Sequence, residues 1–312
     1  MLATLAGGVG AARFLSGLVR AVPSSEVVAI VNTADDEEFH GLYVSPDLDS
    51  VTYTLAGASN VAQGWGLEGE TYATLDALGR FGVPTWFRLG DKDLATHIFR
   101  TERMRSGAPL SEVTNEIVRA WGLDIRLIPM TDDPVRTRIT VRRPDGTDDE
   151  IPMQQWFVGE RSESPVVSVR FDGAAASRPA PGVLETLRTA DTIVICPSNP
   201  VISIGPILAV PGLREALEAR RGRVIAISPI VGGAPVKGPA DRLMAPLGIE
   251  VSCVGIARAY APFCDALVID AVDAHLAAQV EQAGVRAIVA DTMMRSPEIA
   301  TELARCTLAA VA

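Results

Sequence analysis

Short apolar runs alternate with amphipathic segments at the start of the chain. The first run, Leu2 to Ala6, ends in the glycine turn 7–10, and apolar residues then recur at helical spacing from 11 to 22. A second apolar run, Val27 to Val31, follows. A strand, a helix and a strand within about 30 residues predict a βαβ unit, whose parallel strands need helices on both faces.

The same alternation returns near residue 180. Apolar runs predict strands at 192–196, 223–228, 266–269 and 287–290, and amphipathic segments predict helices at 212–220, 240–247, 274–283 and 298–309. The pattern predicts an α/β fold with a doubly wound, Rossmann-like parallel sheet.

The middle of the chain has a different pattern. It predicts helices at 49–57, 70–80, 93–107 and 111–121 and strands at 125–130, 137–142 and 151–157, the last two joined by the turn Arg143-Pro144-Asp145-Gly146. We therefore expect one domain, 1–312, with a core from about 1–40 and 180–312. The remaining residues, about 41–179, are expected to form a mixed α+β insertion or cap on that core.

Composition narrows the classes of function. The chain has 312 residues, 48% of them hydrophobic, and a net charge of −10 from 38 acids and 28 bases. Nucleic-acid binding is not expected, because neutralising many phosphates needs a basic face. No apolar run reaches the length of a membrane span, no signal peptide is recognisable, and the four scattered cysteines are expected to be reduced thiols. These features predict a cytoplasmic protein that makes no membrane contact. An anionic substrate would need backbone amides, a few cations or a divalent metal.

The glycine turn after the first strand is a candidate phosphate site. Gly7, Gly8 and Gly10 lie between a predicted strand and a predicted helix, where backbone amides and the helix N-terminus favour an anion. No Walker A lysine follows, and Arg13 stands at the third glycine position of a dinucleotide fingerprint. The alternative is a tight turn that serves packing alone.

Two pairs of acids follow the second strand. Asp35 and Asp36 begin an acidic loop, and Asp47 and Asp49 lie where a helix should start. Beside a phosphate-binding turn, both pairs together favour Mg²⁺ bridging phosphates through one or two carboxylates. The alternative for Asp47 is a helix cap.

The stretch from Arg88 to His97 holds further charged side chains. Arg88 and Lys92 are candidates for phosphate binding or for surface ion pairs, and a neighbouring acid, Asp91 or Asp93, could cap the next helix. His97 is expected to be packed rather than catalytic.

Two later strand ends offer polar groups. Ser198 and Asn199 follow the strand at 192–196, at the sheet edge where ligands bind in open α/β folds, although an Asx-type turn without a ligand is the alternative. Lys237 lies in a loop after the next strand and could reach an anion or be an ordinary surface lysine.

The chain resembles the 2-phospho-L-lactate transferase family, CofD in archaea and its actinobacterial homologue, which acts in coenzyme F-420 biosynthesis. The resemblance rests on six stretches in family order: LAGGVGAARF (5–14), HGLYVSPDLD (40–49), YTLAG (53–57), LGDKDLATH (89–97), PSNPVISIGPIL (197–208) and SPIVGG (228–233). Departures are small: Ala11 stands where glycine is common, and Lys92 where arginine also occurs.

The resemblance implies a reaction and a site. The donor would be the guanosine diphosphate ester of lactate, phosphoenolpyruvate or a related three-carbon acid. The acceptor would be the ribityl hydroxyl of the deazaflavin Fo, and GMP would leave. Asp49 and Arg88 would contact Fo, and Asp49 or Asp36 would accept the hydroxyl proton. The remaining implied assignments are Mg²⁺ ligands from Asp35, Asp36, Asp47 and Asp49, a guanosine diphosphate site at Gly7, Gly8, Gly10, Ser198, Asn199 and Lys237, and a homodimer.

Two rival functions share parts of this pattern. The YvcK-like regulatory proteins, which bind nucleotide sugars without transferase activity, have the glycine turn and the paired aspartates. They lack the 46–49 run followed by Tyr53-Thr54-Leu55, and they lack the 89–97 block. An NAD(P) oxidoreductase would need a third glycine in the turn and a catalytic pair, and neither is visible.

Overall fold

A computed structural model describes residues 1–310 of the chain. Its strands, in chain order, are β1 (Leu2–Ala6), β2 (Val27–Val31), β3 (Glu37–Phe39), β4 (Leu42–Val44), β5 (Arg126–Pro129), β6 (Arg136–Arg142), β7 (Asp148–Pro152), β8 (Val166–Asp172), β9 (Thr192–Ile195), β10 (Val224–Ile227), β11 (Ile230–Val231), β12 (Ala234–Pro235), β13 (Ala266–Asp270) and β14 (Arg286–Ala290). Its α-helices are α1 (Gly8–Ala21), α2 (Pro46–Leu55), α3 (Ala73–Gly79), α4 (Asp93–Arg105), α5 (Leu110–Ala120), α6 (Val183–Thr189), α7 (Gly205–Ala209), α8 (Leu213–Glu218), α9 (Ala240–Met244), α10 (Cys253–Tyr260), α11 (Ala277–Gln282) and α12 (Pro297–Ala309).

Seven parallel strands form the central sheet, in the order β14-β13-β10-β9-β1-β2-β5. From β1 the sheet extends through β2 and β5 on one side and through β9, β10, β13 and β14 on the other. The strand order therefore reverses between β1 and β9. Loops diverge at such a point, so the carboxyl ends of these two strands border a crevice. The predicted doubly wound, Rossmann-like α/β sheet is confirmed.

The central strands are apolar along almost their whole length because both faces of the sheet are covered. In β2, Val28 and Ile30 pack in one hydrophobic cluster, while Val27, Ala29 and Val31 pack in the cluster on the opposite face. Side chains of a strand alternate between the two faces, so a strand buried on both has no solvent-facing position, and polar residues are few, such as Thr4 in β1. This explains the uninterrupted runs in the sequence.

The middle segment mixes helices with an antiparallel sheet of order β7-β6-β8. One of its strands, β5, does not belong to that sheet. It pairs in parallel with β2 and forms one edge of the central sheet, although it lies inside the stretch 41–179 that the sequence pattern assigns to an insertion.

The strand predicted at 151–157 is wrong in its second half. The strand ends at Pro152, and residues Gln155–Gly159 form a helical turn in which Trp156 is fully buried and donates its indole N–H to the Ser164 carbonyl at 2.9 Å. Proline lacks the N–H that the next ladder bond needs, so the strand cannot continue in register. The strand instead begins earlier, at Asp148, where acidic side chains pair with arginines on the adjoining strands.

Several elements were not predicted. They include β8, the short β3–β4 and β11–β12 hairpins, and α10, whose N-cap residue Ser252 accepts a hydrogen bond from the Gly255 N–H at 3.0 Å. Among residues 1–310 no helix is both long and apolar enough to cross a membrane. All four cysteines are free thiols.

Candidate active site

The glycine turn and the Ser198 loop meet at the point where the strand order reverses. The Gly7 N–H donates to Ser198 Oγ at 3.2 Å, and the Ser198 hydroxyl donates to the Gly7 carbonyl at 2.9 Å. Ser198 is 3% exposed, so these two bonds are shielded from water. The structure therefore brings two of the predicted nucleotide-binding segments together, 191 residues apart in the chain.

Close packing alone requires glycine at two positions of the turn. A Cβ at Gly7 would lie 2.5 Å from the Cβ of Ser203, and one at Gly10 would lie 2.3 Å from the Pro197 carbonyl oxygen. Gly8 has φ +70°, a left-handed conformation that glycine adopts without strain. The packing interpretation is thus correct for Gly7 and Gly10, and it does not conflict with phosphate binding by the backbone amides of the same turn.

Two buried carboxylates share one amide beside this turn. Asn32 donates through Nδ2 to Asp35 Oδ2 at 3.1 Å and to Asp47 Oδ2 at 2.9 Å, and the Asp47 carboxylate lies against Gly7 and Gly8. Burial raises the pKa of Asp47 to about 6. Burial, and then the charge of Asp47, raise the pKa of Asp35 well above its ordinary value. The acids lie next to the predicted phosphate turn, as the sequence suggested.

Asp47 is not the cap of its helix. Helix α2 begins at Pro46, with Ser45 in the capping position, and no side-chain capping bond is made there. Asp47 lies one residue further on, where its carboxylate turns towards Asn32 and the glycine turn.

Asp36 lies in a separate polar environment. Its Oδ2 accepts a hydrogen bond from Ser45 Oγ at 2.7 Å, and Arg136 stands nearby over the ring of Tyr43. Burial raises the pKa of Asp36 to about 7, although the charges of Arg136 and Arg100 and the Ser45 hydrogen bond act in the opposite direction.

Asp35, Asp36 and Asp47 offer carboxylate oxygens to a magnesium ion, although among residues 1–310 these three side chains do not bring three ligand atoms within 4.8 Å of one another. One oxygen of Asp35 and one of Asp36 are buried and have no hydrogen-bond partner within the described chain, and leaving an acceptor in that condition is costly. Burial raises the pKa of both Asp35 and Asp36, and a bound divalent cation would favour their ionised forms. An all-oxygen donor set suits Mg²⁺, which binds through one or two carboxylates and phosphate oxygens.

Asp49 has a different partner. Both of its oxygens accept hydrogen bonds from the guanidinium of Arg100, one of them at 3.1 Å. Both side chains are buried, at 5% and 1% exposure. His97 lies on the other side, with Nδ1 3.8 Å from Asp49 Oδ2 and Nε2 3.1 Å from Asp93 Oδ2. The prediction that His97 is packed is confirmed, since it too is 1% exposed.

The Asp49, Asp93 and His97 side chains are close enough to share a metal ion, with their ligand atoms within 4.8 Å of one another. Each carboxylate of that group already has a donor. Arg100 holds Asp49, and the Tyr53 hydroxyl donates to Asp93 at 2.5 Å. Burial alone would raise the pKa of Asp93, but its contacts with His97 and Tyr53 lower it. Arg100 and Tyr53 therefore already donate to these two carboxylates, whereas the buried Nε2 of His97 has no hydrogen-bond partner within the described residues.

Arg88 lies outside these buried clusters. Its guanidinium stands 4.0 Å from the centre of the Tyr72 ring, and its side chain is exposed. Asp91 does not cap the helix that follows it; its carboxylate accepts the Ala73 and Thr74 N–H groups at the start of α3. These hydrogen bonds, led by that of the Thr71 hydroxyl, lower the pKa of Asp91. Lys92 donates to the Glu68 carbonyl at 2.8 Å.

An aromatic cavity of about 320 Å³ lies beside the acidic loop. Phe39 and Phe87 stack at 3.8 Å with nearly parallel rings, and Trp86 meets Phe39 edge-on. The cavity also borders Glu37 and Gln154, and Gln154 Nε2 donates to the Asp35 carbonyl at 3.3 Å. An apolar surface with a few polar groups is typical of a small-molecule site.

The two other predicted nucleotide contacts have local partners. Asn199 Oδ1 accepts from the Val201 and Ile202 N–H groups, at 2.9 and 3.2 Å, so the Asx-type turn is present. Lys237 Nζ donates to the Gly64 carbonyl at 3.2 Å. Burial and then the charge of Arg13 lower the pKa of Lys237.

Sequence reasoning missed the residues that hold the acids in place, chiefly Asn32, Ser45, Arg100 and Arg136. Their partners lie at a distance in the chain: 15 positions for Asn32 and Asp47, 9 for Ser45 and Asp36, 51 for Arg100 and Asp49, and 100 for Arg136 and Asp36. A usable signal existed only for Arg100, which follows His97 by one turn of a predicted helix and so shares its face.

Comparison with known proteins gives a consistent result. A family model described as 2-phospho-L-lactate transferase CofD matches residues 2–306. A phosphoenolpyruvate transferase of Streptomyces griseus is 45% identical over 306 residues, 97% of this chain and 96% of that protein. A 2-phospho-L-lactate transferase of Methanosarcina acetivorans is 39% identical over 300 residues, 96% of this chain and 95% of that protein. A crystal structure of a Bacillus halodurans protein shares the fold, with a TM-score of 0.62 over 98% of both chains at 17% identity.

Proposed function

Because this chain belongs to the 2-phospho-L-lactate transferase family of coenzyme F-420 biosynthesis, we propose that it transfers a three-carbon phospho-acid group from its guanosine diphosphate ester to Fo. The terminal ribityl hydroxyl attacks the phosphorus that carries the acid. A new ribityl O–P bond forms, the P–O bond to the guanosine phosphate breaks, GMP leaves with the bonding electrons, and the hydroxyl proton passes to a base.

The acid carried by the donor is proposed from the relatives. The Streptomyces griseus protein, named phosphoenolpyruvate transferase, is 45% identical, and the Methanosarcina acetivorans protein, named 2-phospho-L-lactate transferase, is 39% identical. This difference favours an enolpyruvyl donor, so that the product is dehydro coenzyme F-420-0. The phospholactyl and phosphoglyceryl esters are the competing donors.

The single observation that carries the site assignment is the meeting of Gly7 and Ser198 at the reversal point of the sheet, beside two buried carboxylates. Backbone amides of the turn at the start of α1 would hold the diphosphate, because helix N-termini and closely spaced N–H groups favour anions. Lys237 and Arg13 would supply positive charge. Asn199 contributes by fixing the loop that presents Ser198.

Asp35, Asp36 and Asp47 are the proposed ligands of Mg²⁺. When bound there, the ion would offset the charge of the diphosphate, which an acidic protein cannot do with a basic surface. Asn32 keeps Asp35 and Asp47 side by side, and Ser45 orients Asp36. The ion would take one or two of these carboxylates and complete its ligands with phosphate oxygens.

The acceptor would lie between the aromatic cavity and Asp49. The planar deazaflavin ring fits a cavity bordered by Phe39, Trp86 and Phe87, since fused aromatic rings favour stacked and edge-on contacts. Arg88, next in the chain after Phe87, would contact the same ligand. The Asp49 carboxylate would accept a hydrogen bond from the ribityl hydroxyl and would orient that hydroxyl for attack. Asp36 or Asp49 would take the proton.

A fluorescence-monitored chromatographic assay tests this function. The full chain is incubated with Fo, Mg²⁺ and each guanosine diphosphate ester in turn, and both deazaflavin products and GMP are measured. We expect a more anionic deazaflavin peak, with GMP released in equal amount, and the fastest turnover with the enolpyruvyl ester. A folded protein that binds guanine or uridine nucleotides but forms no product with any ester would overturn the proposal and favour the regulatory nucleotide-binding function.

A further inference from the structure

Arg100 is a buried cation placed among the acids of the proposed site. It lies on α4, is 1% exposed, and binds Asp49 through both terminal nitrogens. Its Nη1 also lies 3.5 Å from the Tyr43 carbonyl and 3.4 Å from His97 Nδ1. A forked guanidinium on a carboxylate fixes direction as well as charge, which a lysine ammonium does not.

The same cation acts on a second acid. Although burial alone would lower the pKa of Arg100, its contact with Asp49 raises it, and the charges of Tyr53 and Asp36 contribute in the same direction. The Arg100 charge in turn opposes the rise in the pKa of Asp36. The Arg100 charge therefore acts on both candidate proton acceptors, while its hydrogen bonds go to Asp49.

The buried acids fall into two groups by their free oxygens. Asp35 and Asp36 each keep one buried oxygen without a partner, whereas both oxygens of Asp49 are bound by Arg100. An ionised carboxylate has about four lone-pair positions, so Asp49 can still accept one more hydrogen bond from a substrate hydroxyl. A divalent cation at Asp49 would instead stand against the positive charge of Arg100, where the interior screens poorly.

We propose that Arg100 is a positioning residue that reserves Asp49 for the acceptor hydroxyl and keeps it out of the metal-binding set, so that the cation takes one or two ligands from Asp35, Asp36 and Asp47. This rests on the proposed function only for the identity of the acceptor. The division of the acids into two groups stands on the contacts of Arg100, Asn32 and Ser45. A metal shared by Asp49, Asp93 and His97 is the competing arrangement.

Two variants on one helix separate the groups. Asp47→Asn and Asp49→Asn lie two residues apart on α2, are both buried, and each remove one negative charge. Mn²⁺ binding to the substrate-free protein is measured by electron paramagnetic resonance, with thermal unfolding as a check on folding. We expect Asp47→Asn to weaken Mn²⁺ binding by about 10-fold or more, and Asp49→Asn to change it by less than about twofold. A loss of Mn²⁺ binding of about 10-fold in Asp49→Asn overturns the proposal.

Arg100 itself is tested by a change of geometry at constant charge. Arg100→Lys keeps the positive charge but cannot contact both Asp49 oxygens through two nitrogens. We therefore expect the Mn²⁺ affinity to be unchanged. The KM for Fo should rise, or kcat should fall, by about 10- to 100-fold. Arg103→Met is the control, because Arg103 lies one turn further along α4, is partly exposed, and pairs with Glu112 and Glu116 instead of the site. Kinetic constants equal to those of the wild type in Arg100→Lys would show that the two-nitrogen contact of the Arg100 guanidinium has no positioning role.

Arg100→Met should change the Mn²⁺ affinity and the transfer rate in opposite directions. Removing the cation frees the Asp49 carboxylate, so Mn²⁺ should bind about threefold or more tightly while transfer falls by about 100-fold. A residue that only filled space would not move these two quantities in opposite directions, and weaker Mn²⁺ binding contradicts the proposal. If Arg100→Met does not fold, the Arg100→Lys and Asp49→Asn variants still test the proposed role of Arg100. If the wild-type protein forms no product, the function fails while the Mn²⁺ measurements still test the assignment.

Discussion

Ser198 Oγ both accepts a hydrogen bond from the Gly7 N–H and donates one to the Gly7 carbonyl, at 3.2 and 2.9 Å. The two residues belong to the loops that leave β1 and β9, the neighbouring strands from which the central sheet extends in opposite directions. A single buried hydroxyl therefore ties together the two sides of the crevice in which the nucleotide would bind.

Ser198→Ala should loosen this connection. The Gly7 amide and carbonyl would lose a buried partner, so we expect the free energy of unfolding to fall by about 1–2 kcal/mol and the KM for the nucleotide ester to rise. Urea denaturation measures the first effect and steady-state kinetics the second. Ser106→Ala, which removes an exposed hydroxyl bonded to the Glu102 carbonyl, should cost less than about 0.5 kcal/mol. Equal losses in both variants would contradict the special position of Ser198.

Gly10→Ala should be strongly destabilising for a steric reason. The new Cβ would lie 2.3 Å from the Pro197 carbonyl oxygen, and both partners are backbone, so neither can rotate away. We expect a loss of about 1–3 kcal/mol in thermal or urea unfolding. Gly222→Ala is the matched control, because a Cβ there meets nothing within 4 Å and its φ is not positive, so it should be neutral or slightly stabilising. A Gly10→Ala protein as stable as Gly222→Ala would mean that the turn relaxes.

The metal-free protein should lose stability as the pH rises from 5 to 8. Burial raises the folded-state pKa of Asp36 to about 7 and that of Asp47 to about 6, from 3.8. The folded state therefore holds these protons more tightly than the unfolded chain. Their stabilising contribution is complete below the unfolded pKa and is lost as the pH rises through the folded values.

We expect a fall of at least about 1 kcal/mol in the free energy of unfolding over that interval, measured by urea denaturation in chelator. Saturating Mg²⁺ should reduce the fall, because a cation stabilises the ionised carboxylates. Asp36→Asn should flatten the dependence. Stability that rises with pH in chelator, or that ignores Mg²⁺, would exclude these acids as the metal ligands.

Trp86→Leu should weaken binding of the acceptor and leave the donor unaffected. Trp86 borders the aromatic cavity and is 39% exposed, so its loss removes a contact surface with little effect on the core. An aromatic contact is worth about 0.5–1.5 kcal/mol, which corresponds to a rise of about 3- to 10-fold in the KM for Fo. Phe99→Leu, at 41% exposure on α4 and outside the cavity, serves as the control. A KM for Fo that does not differ between the two variants would place the acceptor elsewhere.

Local sequence was sufficient to predict the central sheet. The apolar runs at β1, β2, β9, β10, β13 and β14 are short and bounded by turn residues, and all except the edge strand β14 are buried on both faces of the sheet. The sequence was misleading where a strand carried exposed charges. In β7, Asp148, Asp149 and Glu150 are all exposed, and each pairs with an arginine from the same small sheet or its turn: Arg142 on β6, Arg143 in the turn after it and Arg170 on β8. Such pairs depend on register, which local pattern does not contain.

The sequence by itself determined the parallel sheet, the glycine turn at its first strand, the acids that follow its second, and membership of one enzyme family. The first three depend on residues near one another in the chain, and the last depends on the order of several short stretches along it. Only the tertiary structure decided how the acids differ: Asn32 joins Asp35 to Asp47, Ser45 holds Asp36, and Arg100 binds Asp49. Four similar carboxylates acquire different roles because burial makes each one's charge depend on the partner that folding brings to it, and those partners come from distant segments.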